Sequence, residues 1–249
     1  MLRISFLLVS ILSVVSCSSV RVIDSERASK LNADLGVAYM MKGSYEQSLA
    51  KFKKAIRLNP DNGRAYLYTA ELYRRLNEDA RAIEYYEQAI DVAPEDAAIN
   101  NNYGAYLCGK KKYDEAFRYL KLALLNPVYP DRAEVYENIG VCYEAQGNIK
   151  MARENFIKAI SLKPYLSNSL LAVAKLDFDD NKIISAKKYI TYFNKAAKDT
   201  SESIWLNILI ARKIGNRKTV ESFSWSLANK FPKSKEAKLL KRLRASGEF

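Results

Sequence analysis

Small residues recur along this chain at a nearly constant interval, and that regularity restricts the fold more than any other feature. Gly36, Ala70, Gly104, Gly140 and Ala174 are separated by 34, 34, 36 and 34 residues. Ser48, Ala82, Ala116, Ala152 and Ala186 repeat the same spacings, and Ala55, Ala89, Ala123 and Ala159 form a third series. Pro60, Pro94 and Pro164 fall at the ends of matching units, with Pro127 or Pro130 serving a stretched third one. A period of this length marks stacked units that each pair two helices, because no single unit can bury its own apolar face. The small positions let the helices of a pair approach closely. Larger residues are expected to fill the layer between them: Leu35, Tyr39 and Phe52, then Tyr73 and Tyr86, Tyr103 and Leu120, Tyr143 and Phe156. Gly43 and Gly147 suit a tight turn between helices, where Asn77, Lys111 and Asn181 stand in other units. The prolines stop the second helix of each pair, since they cannot continue its hydrogen-bond ladder.

This pattern resembles the tetratricopeptide repeat, which implies an all-α solenoid of about six helix-turn-helix repeats with a C-terminal capping helix. The repeats are expected over 29–232, with units at 29–62, 63–96, 97–132, 133–166 and 167 to about 201. A degenerate sixth runs over 202–232, with Trp205, Ile208 and Leu209 on its first helix, Gly215 at its turn, and Val220, Leu227 and Ala228 on its second. Residues 233–249 should form a basic helix that covers the last apolar face. In the usual orientation the first helices line a groove. Val37, Met40, Met41, Leu67, Arg74, Asn101 and Glu144 are its candidate partner-contact residues. Lys30, Ala33, Arg64, Glu134, Glu137 and Val141 occupy further groove-facing positions. Met40 and Met41 suit an adaptable apolar lining, or simply fill space beside the N-terminal segment. Ala33 and Val37 stand where cytosolic co-chaperone repeats place the lysine and asparagine that grip a terminal carboxylate, so that clamp is missing.

Composition excludes much chemistry. The chain has no histidine, hence no Ser-His-Asp triad, no imidazole metal ligand and no histidine proton shuttle. Its three cysteines lie 91 and 34 residues apart, without a CxxC knuckle, and no glycine-rich phosphate loop is present. The expectation is a protein that binds other proteins, is not an enzyme, and needs no cofactor or metal. Charge is segregated. Residues 17–181 carry 23 basic and 23 acidic side chains, whereas residues 182–249 carry 16 and 5, a net of +11. Such an end suits anionic headgroups or an acidic partner, or is merely a solvated cap; no nucleic-acid motif accompanies it.

At the N-terminus, Arg3 precedes the apolar stretch Ile4–Val15, which is short for a bilayer span but right for a signal peptide. Val14-Val15-Ser16-Cys17 resembles the bacterial lipobox, departing from it at Val14, where leucine is commoner. The resemblance implies a leader at 1–16, lipidation of Cys17, a tether at 17–28 and, with Ser18 rather than aspartate next, an outer-membrane location. A plain secretory leader and a retained N-terminal anchor are the alternatives. Cys108 and Cys142 fall on first helices of adjacent repeats, and both a disulfide and two buried thiols are compatible with that placement.

A closer resemblance rests on Asn101-Asn102-Tyr103-Gly104 with Leu107-Cys108, on Asn138-Ile139-Gly140-Val141-Cys142 with Gly147, on Ile204-Trp205-Leu206 with Ala211-Arg212 and Gly215, and on Phe231-Pro232-Lys233-Ser234. These segments resemble the type IV pilus biogenesis/stability lipoproteins over essentially the whole chain. Ile139, Lys233 and the basic tail depart from that family's pattern. The resemblance implies a monomeric outer-membrane lipoprotein on the periplasmic side that acts as a pilotin. Its partners would be the secretin subunits of the pilus channel, which it helps to localise and multimerise, and other pilus-assembly proteins. It also implies a Cys108–Cys142 disulfide. Stabilisation of the pilus fibre, and a generic periplasmic adaptor role without secretin dependence, remain as alternatives.

Overall fold

The computed structural model describes residues 16–247, with side-chain environments from Asp24 onward. The expected leader, but for its last residue, therefore lies outside the described residues, as does the side chain of Cys17. Thirteen α-helices and no strands occur among the described residues. They fall into two compact units, one ending at Gly104 and the other beginning at Ala105.

The first unit contains α1 (Ser16–Met41), α2 (Tyr45–Leu58), α3 (Gly63–Arg75), α4 (Asp79–Val92) and the first part of α5 (Ala97–Gly109). Helix α1 begins at Ser16 rather than near Ser29. The stretch 17–28 read as a tether is thus helical backbone continuous with the first repeat, because nothing between Cys17 and Met41 is a proline or glycine that would break it except Gly36, which the packing uses. The second unit holds the rest of α5, α6 (Tyr113–Leu125), α7 (Arg132–Ala145), α8 (Ile149–Leu162), α9 (Ser167–Asp179), α10 (Ile183–Ala196), α11 (Ser201–Lys213), α12 (Arg217–Lys230) and α13 (Lys235–Ala245).

Within each unit the small positions are where helices touch. The serine and alanines at 48, 82, 116, 152 and 186 are completely buried, as are the alanines at 55, 89, 123 and 159. Ser48 Oγ donates to the Gly36 carbonyl at 2.8 Å, and Ser29 Oγ to the Ala55 carbonyl at 2.8 Å, so two hydroxyls tie α1 to α2. A methyl group placed on Gly36 would run into the Phe52 ring, and one on Gly140 would come within 2.7 Å of the Phe156 ring. Glycine is required at these two positions because a phenylalanine of the partner helix occupies the Cβ site.

The six turns inside helix pairs share one construction. Gly43, Asn77, Lys111, Gly147, Asn181 and Gly215 all have φ between 57° and 84°. The next residue's N–H then reaches back five residues, as from Ser44 to Tyr39 O and from Lys112 to Leu107 O. This is the Schellman closure, which satisfies carbonyls the helix end would leave open. Lys111 takes the left-handed conformation without the advantage of glycine or asparagine, at φ 62°. Lys111→Gly is therefore expected to raise stability by about 1 kcal/mol, read as a higher midpoint in urea unfolding. An unchanged or lower midpoint would mean that the lysine side chain contributes contacts of its own.

Helix starts are capped from several sources. Asn62, Asn148, Asn216 and Ser234 accept backbone N–H groups of their own helices, and Thr200 with Ser203 forms a reciprocal capping box. Leu166, which precedes α9, has no side chain able to cap. There the Glu137 carboxylate of α7 accepts from Ser169 N at 3.0 Å and Ser169 Oγ at 2.7 Å, so one repeat caps the next. A second inter-repeat staple runs from Arg153 on α8 to Asp177 on α9, with Ser185 of α10 donating to the same carboxylate. Asp177 is fully buried, so its charge is held by two hydrogen-bonding partners, as a buried carboxylate requires.

Candidate partner-binding surfaces

In the first unit the structure separates the expected groove residues into two kinds. Met40 and Leu67 are buried, and Asn101 is 7% exposed, so these three are interior positions rather than partner contacts. Met40 lies one helical turn from Gly36 and shares its face, which brings it against Phe52 and Leu72. Val37 packs half-buried against the same cluster. Leu35, expected in the layer, is instead 38% exposed, because it lies about 100° around α1 from Gly36. Leu31 and Met41 are likewise exposed, at 59% and 78%, among the charged residues Asp24, Arg27 and Asp34 on the outer side of α1.

Arg74 is exposed and held in place. Its Nε and Nη2 donate to Glu71 Oε2 at 2.9 and 2.7 Å, and the Tyr86 hydroxyl of α4 donates to the other oxygen of Glu71. Glu71 thereby raises the Arg74 pKa chiefly through this hydrogen bond. Further along the same unit, Glu26, Lys30 and Asp34 of α1 face Asp61, Arg64 and Asp96 across a cleft of about 590 Å³. Arg64 reaches Asp96 Oδ2 at 3.4 Å. Alternating charges around an open cleft favour a polar peptide segment over a small apolar ligand.

In the second unit the acidic face of α7 is largely satisfied from within. Glu134 accepts from Lys163 at 2.5 Å, and Glu137 caps α9 as described above. Two residues at groove-facing positions on α7 are left for contact: Val141, 46% exposed, and half-buried Glu144. Burial raises the Glu144 pKa from its ordinary value, Lys175 opposes that rise, and Glu202 and Asp179 add to it. Lys175 donates to Glu202 at 3.1 Å, which raises the lysine's own pKa. Sequence reasoning singled out Glu144 but not the Lys175–Glu202 pair beside it. Both partners sit on first helices at groove-facing positions, which was the available signal.

Cys108 and Cys142 are joined by a disulfide, with Cα atoms 5.6 Å apart. It links the end of α5 to α7 inside the second unit, and both residues are buried. Among the described residues no group of three acidic or cysteine side chains is placed to hold a metal ion, and no helix is long and apolar enough to cross a membrane.

Comparison with known proteins agrees with this architecture. Two tetratricopeptide repeat family models match residues 33–97 and 95–164, together more than half of the chain. The type IV pilus assembly protein PilF of Pseudomonas aeruginosa is 28% identical over 202 residues, covering 81% of this chain and 80% of that protein. A solved structure from the functional characterization of Pseudomonas aeruginosa PilF superposes with a TM-score of 0.82 at 26% identity, covering 88% of this chain and 99% of that one. The crystal structure of PilW, described as a widely conserved type IV pilus biogenesis factor, gives a TM-score of 0.76 at 27% identity, over 85% and 97% of the two chains. A periodic core of buried small residues, six Schellman-closed turns and these matches lead to one conclusion: the chain is a tetratricopeptide repeat protein, homologous to type IV pilus biogenesis proteins built on that repeat.

Proposed function

We propose that this protein is an outer-membrane lipoprotein, facing the periplasm, that acts as a pilotin in type IV pilus biogenesis. It binds secretin subunits and promotes their localisation and multimerisation. The observation that carries this reading is the similarity to PilF and PilW along more than four-fifths of the chain, with both units included. Two further features support it. The lipobox-like run ending at Cys17 would supply the anchor. The Cys108–Cys142 disulfide suits an oxidising compartment, since such bonds are rare in the cytoplasm. The protein works by contact and positioning: lipid sorting carries Cys17 to the outer membrane, and the exposed surfaces of the repeats hold the partner. Of the candidate partner residues, Met41 and Arg74 are exposed and Val37 and Glu144 half-buried, with Val141 exposed at a further groove-facing position.

The test is deletion of the gene followed by a fractionated membrane gel probed for secretin monomer and heat-resistant multimer. Loss of the outer-membrane multimer is expected, with rescue by the native gene and no rescue by Cys17→Ala. Cys17→Ala should leave the repeats folded, because Cys17 lies near the start of α1, well before Ser29, the first buried residue described on that helix. A normal multimer in the outer membrane of the deletion strain would remove the pilotin mechanism and leave fibre stabilisation or a secretin-independent adaptor role.

A further inference from the structure

The last three helices, the degenerate sixth repeat and the closing helix, build a charged surface that none of the candidate groove residues lines. Arg212 at the end of α11, Arg217 and Glu221 on α12, and Arg244 on α13 surround an open cavity of about 460 Å³. Among the described residues the lining thus includes three arginines and one glutamate. On α12, Lys218, Glu221 and Trp225 are spaced at intervals of three and four residues, so they share a face one turn apart. Trp225 is 71% exposed, while Val220, Phe223 and Leu227 of the same helix pack into the core with Ile204, Ile208 and Leu240. The indole thus lies outside the cluster that holds α12 down. Lys238, Lys241 and Arg242 on α13 are exposed and make no ion pair among the described residues.

We propose that this surface docks onto an anionic phospholipid surface, with Arg212, Arg217 and Arg244 taking headgroup phosphates and Trp225 entering the interface. Arginine's planar fork matches phosphate oxygens bidentately, and tryptophan prefers the boundary between headgroups and acyl chains. An exposed indole on a helix that also carries arginine and lysine is a combination that interfacial attachment rewards. The net charge of +11 over residues 182–249 adds attraction toward the same surface. This contact requires neither the secretin reading nor lipidation of Cys17, and it would act in addition to both.

The chain has two tryptophans, so Trp205→Phe leaves Trp225 as the only one. Its emission is titrated in the full chain with vesicles of phosphatidylcholine alone, or with about one-third phosphatidylglycerol. A blue shift and quenching by brominated lipid are expected with anionic vesicles, weakening as salt is raised. Cosedimentation of variants that keep Trp205 gives a second readout. Any affinity of residues 1–16 for lipid is common to every variant and cancels in the comparison. Arg212→Gln, Arg217→Gln and Arg244→Gln should each weaken partitioning about fivefold. Glu221→Gln should strengthen it by a similar factor, an effect that general unfolding would not produce. Equal responses to neutral and anionic vesicles, or equal partitioning of all variants, would overturn the proposal. So would a Trp225 response to polyglutamate with none to anionic vesicles, which would assign the surface to an acidic protein instead.

Discussion

Phe156→Ala is expected to destabilise the second unit by about 3–5 kcal/mol. The ring is 1% exposed, packs with Ala152, Val173 and Leu176, and lies over Gly140, so its removal opens a cavity bounded on one side by bare backbone. No side chain at Gly140 can lean in to refill it, which is why the cost should sit in the range of poorly collapsing sites. Both tryptophans, Trp205 and Trp225, lie in this unit, and urea unfolding followed by their fluorescence measures the loss. Gly140→Ala provides the cross-check. In the native background its methyl would meet Phe156 at 2.7 Å, whereas in the Phe156→Ala background that space is free. The double variant should therefore be more stable than the sum of the single effects predicts, by more than about 0.5 kcal/mol. Strict additivity would show that the ring and the glycine are not matched to each other. Phe52→Ala should behave alike in the first unit, where Gly36 and Phe52 make the same pair.

Removing the disulfide should have a loss of similar size by a different route. Cys108 and Cys142 are 34 residues apart, and closing a loop of that length removes denatured-state entropy worth about 4 kcal/mol. For a chain of this size that corresponds to a fall in Tm of about 8–16 °C. Cys108→Ser with Cys142→Ser, or the native protein held in reductant, should show it. Phe156→Ala should act additively with the loss of the disulfide, since one acts through native packing and the other mainly through the unfolded chain. A reduced protein with unchanged Tm would mean that packing of α5 against α7 alone sets the stability of that region.

The sequence spoke most clearly where one requirement recurs in every repeat. Gly36, Ala70, Gly140 and Ala174, and the alanine series at 55, 89, 123 and 159, are buried because each pair of helices must approach to the same distance. The turn residues at 43, 77, 111, 147, 181 and 215 were visible for the same reason, as each must carry a positive φ. The sequence spoke least clearly where burial depends on a helix from elsewhere. Met40 and Leu35 exchanged their expected roles, because the direction of the α1 face is set by Gly36 docking on Phe52. Glu137 stands at a groove-facing position and in fact caps α9, thirty-two residues away, because Leu166 cannot.

By itself, then, the sequence determined the repeat unit, its all-helical class, its turn geometry and its charge segregation, since periodicity reports any constraint that each unit satisfies alone. Only the tertiary structure decided which first-helix residues remain accessible, which acids are held by neighbouring repeats, and that Arg212, Arg217 and Arg244 meet around one cavity. Those outcomes arise from pairs of residues brought together by packing of successive helices, and no local pattern along the chain records such distances.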